Sequence, residues 1–433
     1  MRTGLSGLTV RGRAFVAAGI SATLCAILLG QPALTRVGLL VVALPLVAAF
    51  VIGRARYRFS LTRTINPQLV EAGQPARVEL QLVNEGRAPT GVLLLEEHLP
   101  YVLGNRPRFV LEGIAHGWRR HVAYQVRSDV RGRFEVGPMT VRVNDPFGLV
   151  ELGRSFTTTV PLIVTPRTVQ LPLIPLNGAL SGSGDNRPRA FASGSAEDVT
   201  VREYRQGDDL RRVHWRSSAR IGELMVRREE QPWQSRATVF IDNRLIAHRG
   251  HGVASSLEAA VSAAASIALH LSQRGFTVRL VTARGEDPGT AWHDRSLTMN
   301  TGPLLESLAV LETAHQPTIE TSWLAEAGRS GLTVAILGSI IEQDHPVLRR
   351  MQMHAGSALA VALNVDRWAS PGSSATHREV GWLAGQGWRA VSLSPQDRLS
   401  AVWQELGRVS SNLSLSNVHA ETFTQPVVGG AER

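Results

Sequence analysis

The sequence predicts a chain of three parts: two N-terminal transmembrane helices, a β-sandwich-like domain and a C-terminal doubly wound α/β domain. Two apolar runs indicate the helices, and period-two alternation indicates the β-rich domain. Alternating apolar strands and helices indicate the α/β domain. We expect the hairpin at 1–56, the β-rich domain at 57–170 and the α/β domain at 236–408. A linker with a dense polar motif is expected at 171–235, and a disordered tail at 409–433.

The first part is predicted to be a membrane hairpin. Residues 14–35 and 37–53 carry no charge, and each run is close to the length that crosses a bilayer. Breakers at 30–32 lie where the chain must reverse. A cleaved signal peptide fits less well, because a second apolar run follows at once. Arginines before and after the pair, with only Arg36 between, predict that both ends face the cytoplasm.

Composition excludes several chemistries. The chain has 433 residues, a net charge of +10 and no lysine, so all 46 basic residues are arginines. Phosphate-binding loops with an essential lysine, Schiff-base catalysis and serine-lysine acyl transfer are therefore excluded. The single cysteine, Cys25, lies in an apolar run, which excludes an intramolecular disulfide and a cysteine-rich zinc site.

Strand patterns define the two later parts. Residues 77–83, 121–126 and 140–143 alternate between apolar and other side chains and end at turn residues, which predicts short antiparallel strands. Apolar strands of the α/β part are predicted at 237–241, 278–281, 332–337, 359–363 and 390–393. Helices are predicted at 255–273, 303–314, 346–354, 378–384 and 397–406. The first strand–helix junction lacks a glycine-rich turn, so a dinucleotide site of the usual kind is not expected.

The densest group of polar residues lies between 202 and 220. One hypothesis makes Asp208 or Asp209 a base or metal ligand, His214 an acid or base, and Arg212 and Arg220 anion clamps. The alternative is structural, with ion pairs among arginines and carboxylates and a hydrogen-bonded His214. In that alternative, the motif's tyrosine and tryptophan pack the junction between domains. A second motif, residues 145–149, is predicted to be a turn with a buried phenylalanine.

These motifs resemble the bacterial domain-of-unknown-function family 58. The supporting segments are 131–133, 137–138, 145–149 and 165–167. The most specific residues are Arg202, Tyr204, Gly207, Asp208, Asp209, Arg211, Arg212, His214, Trp215, Ser218, Ala219 and Arg220.

The resemblance implies a membrane-anchored protein whose α/β part is similar to a von Willebrand factor A domain. It also implies partners, because relatives are often encoded beside a MoxR-type AAA+ ATPase and a membrane transglutaminase-like protein. A working metal site of that domain begins Asp-x-Ser-x-Ser after the first strand. Here Asp242 is retained, but Arg244 and Ile246 stand at the serine positions. Because Arg244 would repel a cation, we expect no bound metal.

Three functional hypotheses follow from these observations. The leading one is a non-enzymatic membrane scaffold that partners a cytosolic ATPase, with no catalytic residue, no cofactor and no nucleic-acid partner. The second is a hydrolase-type enzyme that uses Asp208, Asp209 and His214. The third is a module that binds anionic lipid through arginines on its cytoplasmic face.

Overall fold

The computed structural model describes residues 7–54, 59–86, 92–112, 118–145, 147–176, 200–204, 213–228, 236–286, 301–326, 331–370 and 378–419. The chain divides into two compact units. Unit 1 comprises Met1–Thr168, His251–Ala265 and Asn300–Glu312. Unit 2 comprises Val169–Gly250, Ser266–Met299 and Thr313–Arg433.

The predicted pair of apolar helices is confirmed. Helix α1 (Val10–Leu28) and helix α2 (Pro32–Arg54) are both long and apolar enough to cross a membrane. The chain reverses between the two helices at Gly30. Glycine adopts the left-handed conformation found there, with φ of 63°, without steric strain. The amide of Gln31 then donates to Ala26 O at 3.0 Å, which closes the end of α1. Proline at position 32 suits the first turn of α2, where its missing N–H costs no hydrogen bond.

Small residues let the two helices approach closely. A Cβ atom at Gly19 would lie 2.6 Å from Val42 Cγ2, and one at Gly38 would lie 2.4 Å from Thr23 Oγ1. Side chains larger than glycine would therefore push the helices apart. On the outer faces of the pair, large apolar side chains such as Leu28 and Phe50 are exposed, as expected for contact with lipid.

The described residues of the β-rich part of unit 1 form ten strands. They are β1 (Phe59–Asn66), β2 (Leu69–Glu71), β3 (Pro75–Asn84), β4 (Val92–Glu97), β5 (Arg108–Glu112), β6 (Arg119–Arg127), β7 (Gly132–Val136), β8 (Met139–Asn144), β9 (Glu151–Phe156) and β10 (Val160–Thr165). They form sheets in the orders β1-β3-β6, β5-β4-β8-β9 and β2-β10-β7. The first two sheets are antiparallel throughout, whereas β2 pairs parallel to β10.

Alternation along these strands builds one core. In β3, Val78, Leu80 and Leu82 are buried while Arg77 and Glu79 face solvent, as the period-two pattern predicts. Buried side chains from all three sheets belong to the same cluster. Its side chains exclude water from the inner faces of β3 and β8, which makes burial of apolar area the main stabilising term of unit 1.

One ion pair lies inside this core. Arg63 Nη2 lies 2.5 Å from Glu97 Oε1, and neither side chain exceeds 2% exposure. Arg63 Nη1 also donates to Thr158 O at 2.6 Å, so the pair links β1, the end of β4 and the turn before β10. Burial raises the pKa of Glu97, while the Arg63 charge and hydrogen bond oppose that shift.

Arg131 connects the β-rich strands to helix α5 (Gly302–Ala309) within unit 1. Its Nε donates to Leu308 O at 3.0 Å, and its Nη2 donates to Leu311 O. The guanidinium also pairs with Glu258. A cation beside the last carbonyls of a helix is favourable because those carbonyls have no partner within the helix. This arginine belongs to one of the motifs that carried the family resemblance.

Unit 2 contains a six-stranded sheet in the order β15-β14-β13-β16-β17-β18. Its strands are β13 (Arg236–Ile241), β14 (Thr277–Thr282), β15 (Gly285–Glu286), β16 (Leu332–Leu337), β17 (Ser357–Leu363) and β18 (Arg389–Leu393). Five strands are parallel, and β15 pairs antiparallel at one edge. The expected mostly parallel sheet is therefore present, and its central strands are buried along their whole length, as in β16.

The remaining helices are α4 (Ser256–Gln273), α6 (Trp323–Glu326), α7 (His345–His354), α8 (Val365–Ala369), α9 (Arg378–Gly385) and α10 (Leu399–His419). Two of the predicted helix ends were wrong. Helix α5 ends at Ala309 and not at 314, because the amide of Ala314 donates to Asn243 O. Helix α10 continues to His419, beyond the tail boundary expected at 409. Its last turns contain neither glycine nor proline, so adding residues to the formed helix costs little.

The turn at residues 145–150 also differs from its prediction. Phe147 is 63% exposed, whereas Leu149 is buried at 2% exposure. The cause is Asp145, whose carboxylate accepts from Phe147 N at 3.1 Å and from Val150 N at 2.7 Å. These bonds fix a tight turn that directs Leu149 into the core and leaves the ring of Phe147 outside.

The buried imidazole of His270 predicts a loss of stability in acid. Burial and the nearby charge of Arg274 lower its pKa below the ordinary 6.5, and its ring lies edge-on to Trp403 with centroids 5.9 Å apart. The unfolded chain therefore binds more protons below pH 6.5 than the native chain does. We expect the thermal midpoint of unit 2 to fall between about pH 7.5 and about pH 5.5.

His270→Phe keeps an aromatic ring against Trp403 but removes the titrating group, so the acid-induced fall should be smaller than in the wild type. The measurement is thermal unfolding of the full chain in detergent at each pH. An identical fall in both proteins would contradict the assignment to His270, and the slope that remains in the variant should include His248, whose pKa burial also lowers.

Candidate functional site

The polar motif contains a short antiparallel pair of strands that precedes the six-stranded sheet along the chain. Strand β11 (Thr200–Glu203) pairs with β12 (Met225–Arg228), and helix α3 (Trp215–Ile221) lies between them in sequence. The structure describes these motif residues: Arg202 in its backbone, Tyr204, His214, Trp215, Ser218, Ala219 and Arg220. The others lie outside the described residues: Gly207, Asp208, Asp209, Arg211 and Arg212.

His214 caps helix α3. Its Nδ1 accepts from Ser217 N at 3.3 Å and lies 2.8 Å from Ser217 Oγ. Because the ring nitrogen accepts from the helix amide, it satisfies one of the donors left free at a helix start. The backbone of His214 is also held, since its amide donates to Met225 O at 2.8 Å. This geometry supports the structural hypothesis for His214.

Ser218 ties the other side of α3 to strand β12. Its hydroxyl donates to His214 O at 3.1 Å and accepts from Met225 N at 2.9 Å. The helix then ends at Gly222, whose φ of 86° is a conformation that glycine adopts without strain. The amide of Tyr204 donates to Leu224 O at 2.8 Å, which continues the backbone pairing from β11. The described polar groups of the motif thus support its local fold.

Trp215 is exposed to solvent. The indole is 69% exposed, and two further apolar side chains nearby in sequence, Ile221 and Leu224, are 58% and 42% exposed. Arg216 and Arg220 on the same helix are exposed as well. The expectation that tryptophan would be buried was wrong, because the short helix is anchored by polar caps and not by its aromatic residue. We name these three exposed apolar side chains, which are close together in sequence, the α3 apolar face: Trp215, Ile221 and Leu224.

A second polar cluster lies at the carboxyl ends of the central strands. Asp242 follows β13, and Asp344 lies in the turn after β16, just before α7. Between them, Arg244 Nε and Nη2 donate to the two carboxylate oxygens of Asp242 at 2.9 and 2.8 Å. Its Nη1 and Nη2 donate to Asp344 at 2.7 and 2.8 Å. We name these three residues the strand-end triad.

All five N–H donors of the Arg244 guanidinium are used. The fifth is a bond from Nη1 to Pro317 O at 2.7 Å. The side chains of Arg244, Asp242 and Asp344 are only 1%, 2% and 4% exposed. Burial alone would lower the pKa of Arg244, but the hydrogen bonds and charges of the two carboxylates raise it well above its ordinary value. The guanidinium therefore stays charged at every pH at which the protein folds.

Neighbouring groups complete this strand end. Nε2 of His248 lies 2.5 Å from Asp242 O, so this nitrogen carries the donated proton. The Asn243 side chain accepts from Ala283 N at 3.2 Å, and its backbone oxygen accepts from Ala314 N at 2.8 Å. Ile341 N donates to Asp344 Oδ2 at 3.1 Å. Hydrogen bonds among the chain's own groups thus occupy this strand end.

The cluster clarifies the role of Asp242. At the two serine positions of the metal-site pattern, Arg244 is buried between the carboxylates and Ile246 is 44% exposed. Arg244 therefore does more than repel a cation, because it neutralises the carboxylates that would bind one. Among the described residues, no group of three or more histidine, cysteine, aspartate or glutamate side chains is arranged to hold a metal.

Sequence reasoning found Asp242 and Arg244 but missed Asp344. The two partners are 100 residues apart, and only the parallel pairing of β13 with β16 brings them together. An aspartate just after a predicted buried strand was the available signal, since the ends of parallel strands meet at one edge of a sheet.

Arg244→Met tests the triad directly. Removing the guanidinium leaves two buried carboxylates without their cation, so we expect a loss of about 3 to 5 kcal/mol in the stability of unit 2. Hydrogen exchange of the β13 and β16 amides in the full chain measures this loss. The control is Arg249→Met, which removes an exposed arginine from the same loop and should cost less than about 0.5 kcal/mol. Similar exchange in both variants would contradict the assigned role.

His214→Ala separates the structural hypothesis from the enzymatic one. Loss of the helix cap should lower the stability of the motif by about 1 kcal/mol. Faster hydrogen exchange in α3 and β12 would show this effect, and His214→Asn, which keeps a capping oxygen, should restore most of the protection. If neither variant changes the exchange, capping is not the role of His214.

Three comparisons place the chain among known proteins. No curated protein matches the sequence. Similar solved structures include the CARDB domain of a Pyrococcus furiosus protein in complex with di-metal ions, at 12% identity and a TM-score of 0.19, covering 25% of this chain and 93% of that one. Another is the complex of zinc 2-glycoprotein and prolactin inducible protein from human seminal plasma, at 12% identity and a TM-score of 0.21, covering 26% and 98%.

A third is the putative ApaA protein from Bordetella pertussis, at 13% identity and a TM-score of 0.19, covering 26% of this chain and 97% of that one. These TM-scores are too low to indicate a shared fold. The family comparison is more informative, because the matched segment contains the polar motif, Asp242 and Arg244. Residues 200–290 match the model described as protein of unknown function DUF58, so this segment of the chain is similar to that family.

Proposed function

We propose that this protein is a membrane-anchored, non-enzymatic interaction protein. In this proposal the α1–α2 hairpin spans the cell membrane, both ends face the cytoplasm, and the bulk of the chain is cytoplasmic. The partner is a MoxR-type AAA+ ATPase, with a membrane transglutaminase-like protein as a second partner, and the process is assembly or remodelling of protein complexes. Family resemblance supports the identity of the partners.

The strand-end triad is the observation that carries the non-enzymatic part of this proposal. In open parallel sheets, ligands bind beyond the carboxyl ends of strands at the point where the strand order reverses. Here that point lies between β13 and β16, whose next neighbours lie on opposite sides. Arg244 fills it with five hydrogen bonds, and each of the four carboxylate oxygens of Asp242 and Asp344 accepts one from the guanidinium.

The strand order also supports the proposed likeness of the α/β part to a von Willebrand factor A domain. The first strand lies at the centre, the next two lie to one side with an antiparallel edge strand, and the last three lie to the other side, which is the order of a doubly wound sheet. In this proposal the domain keeps its scaffold but has replaced the bound cation by an internal arginine. Its contribution is then a surface and not a reactive centre.

The α3 apolar face is the proposed contact surface. Exposed tryptophan beside arginine is the composition typical of interface hot spots. Trp215 is held rigidly, because both ends of its helix are capped and its neighbour His214 is hydrogen-bonded to β12. A rigid aromatic side chain loses little conformational entropy on binding, which favours affinity.

Crosslinked co-purification from native membranes tests the proposal. We expect the tagged wild-type chain to recover a AAA+ ATPase, identified by mass spectrometry. Trp215→Ala should reduce that recovery at least about tenfold, which corresponds to about 1.4 kcal/mol of binding energy. Tyr101→Ala is the matched control, because Tyr101 is another exposed aromatic residue, 91% exposed in the β-rich part.

Equal recovery from the two variants would contradict the α3 apolar face as the contact. Absence of any ATPase from the wild-type preparation, with the chain itself intact in the membrane fraction, would contradict the partnership.

A further inference from the structure

The residues just before helix α1 are bonded to the turn at 145–150. Thr9 N donates to Leu149 O at 3.0 Å, and its hydroxyl donates to Gly148 O at 2.7 Å. On the other side, Glu151 N donates to Gly7 O at 2.7 Å, and Leu8 forms a bridge with Val150. The turn is therefore attached to the segment from which α1 starts, although 139 residues separate Thr9 from Gly148 along the chain.

Helix α2 is held by the same part of unit 1. Ile52 belongs to the buried core of the β-rich strands, and Leu44, Ala48 and Ala49 pack against that core. Leu44 lies eight residues before Ile52, which corresponds to about 12 Å of helix. All four residues lie within the apolar span Pro32–Ile52. The β-rich strands thus flank the final turns of a segment that is apolar enough for the bilayer.

These contacts fix the depth of the turn. If the hairpin spans the membrane, the β-rich strands pack along about 12 Å of its cytoplasmic end and therefore reach the headgroup layer. This layer adds about 5 to 8 Å on each side of the hydrocarbon core. The turn joined to the start of α1 lies at this same end of the hairpin. Phe147 in this turn is 63% exposed, although moving a phenylalanine ring out of water lowers the free energy.

Charge at this end suits a lipid surface. Arg11 and Arg13 are exposed on the first turns of α1, and a Cβ atom at Gly148 would lie 3.8 Å from Arg11 Nη1. An apolar ring with an arginine beside it is the pattern of side chains that enter the headgroup boundary of an anionic leaflet. The carboxylate of Asp145 does not oppose this, because it is buried and accepts hydrogen bonds from the turn.

We propose that the turn at 145–150 is a membrane-interface contact, in which Phe147 inserts between phospholipid headgroups beside Arg11. The contact rests on the proposed membrane anchoring of the hairpin. It gives the β-rich strands a third attachment to the bilayer region, in addition to α1 and α2. The ligand is the phospholipid of the leaflet in which α1 begins.

Single-cysteine labelling of the full chain tests this contact, because Cys25 is the chain's one cysteine and is exposed on α1. Three proteins are labelled with an environment-sensitive nitrobenzoxadiazole dye: the wild type at Cys25, Cys25→Ser with Phe147→Cys, and Cys25→Ser with Tyr101→Cys. Each is reconstituted into vesicles of phosphatidylcholine and phosphatidylglycerol. Quenching by headgroup-proximal spin-labelled phospholipid is then measured.

The label at 147 should be quenched several-fold more strongly than the label at 101 and should emit at shorter wavelength. Thermal unfolding of each variant should match Cys25→Ser alone, since both new sites are exposed. If the label at 147 behaves like the label at 101 while Cys25 is buried in lipid, the interface contact is wrong and the anchoring stands. If Cys25 itself is exposed to water, both the anchoring and the contact are wrong.

Discussion

The buried charge of Arg244 governs the centre of unit 2. Two carboxylates at 2% and 4% exposure would be strongly unfavourable alone, and the guanidinium that lies between them makes their burial possible. Because it also bonds Pro317 O, it draws together the end of β13, the turn after β16 and a third loop. The geometry of this edge is therefore fixed by an ion cluster of the chain's own side chains.

In the family motif, too, hydrogen bonds from the chain's own polar side chains fix the local structure. His214 and Ser218 use their polar atoms to cap α3 and to bind the backbone of β12. Once those polar atoms have taken over the stabilisation of the helix, Trp215 need not be buried to hold it in place. This separation between residues that stabilise the local fold and a residue that faces solvent is consistent with a recognition surface.

Sequence patterns correctly predicted the strands whose structure depends mainly on residues nearby in the chain. The alternation of Val78, Leu80 and Leu82 and the apolar runs of β13 and β16 follow from strand periodicity, and these elements are found where expected. The pairing of Arg244 with Asp344 depends on strand order, which no local pattern contains. Trp215 and Phe147 were wrongly expected inside, because the exposure of an aromatic residue depends on which neighbours already fill the core. The motif residues Asp208 and Asp209 stay hypotheses.

The attachment of the β-rich strands to both helices has a mechanical consequence. Residues 7–9 bind the turn at 148–151, Ile52 is embedded in the core, and only four residues separate α2 from β1. A body held at two points cannot rotate independently about a single flexible tether. A change in the tilt of either helix would therefore turn the strands with it, so a force applied to the strands would be transmitted to both helices.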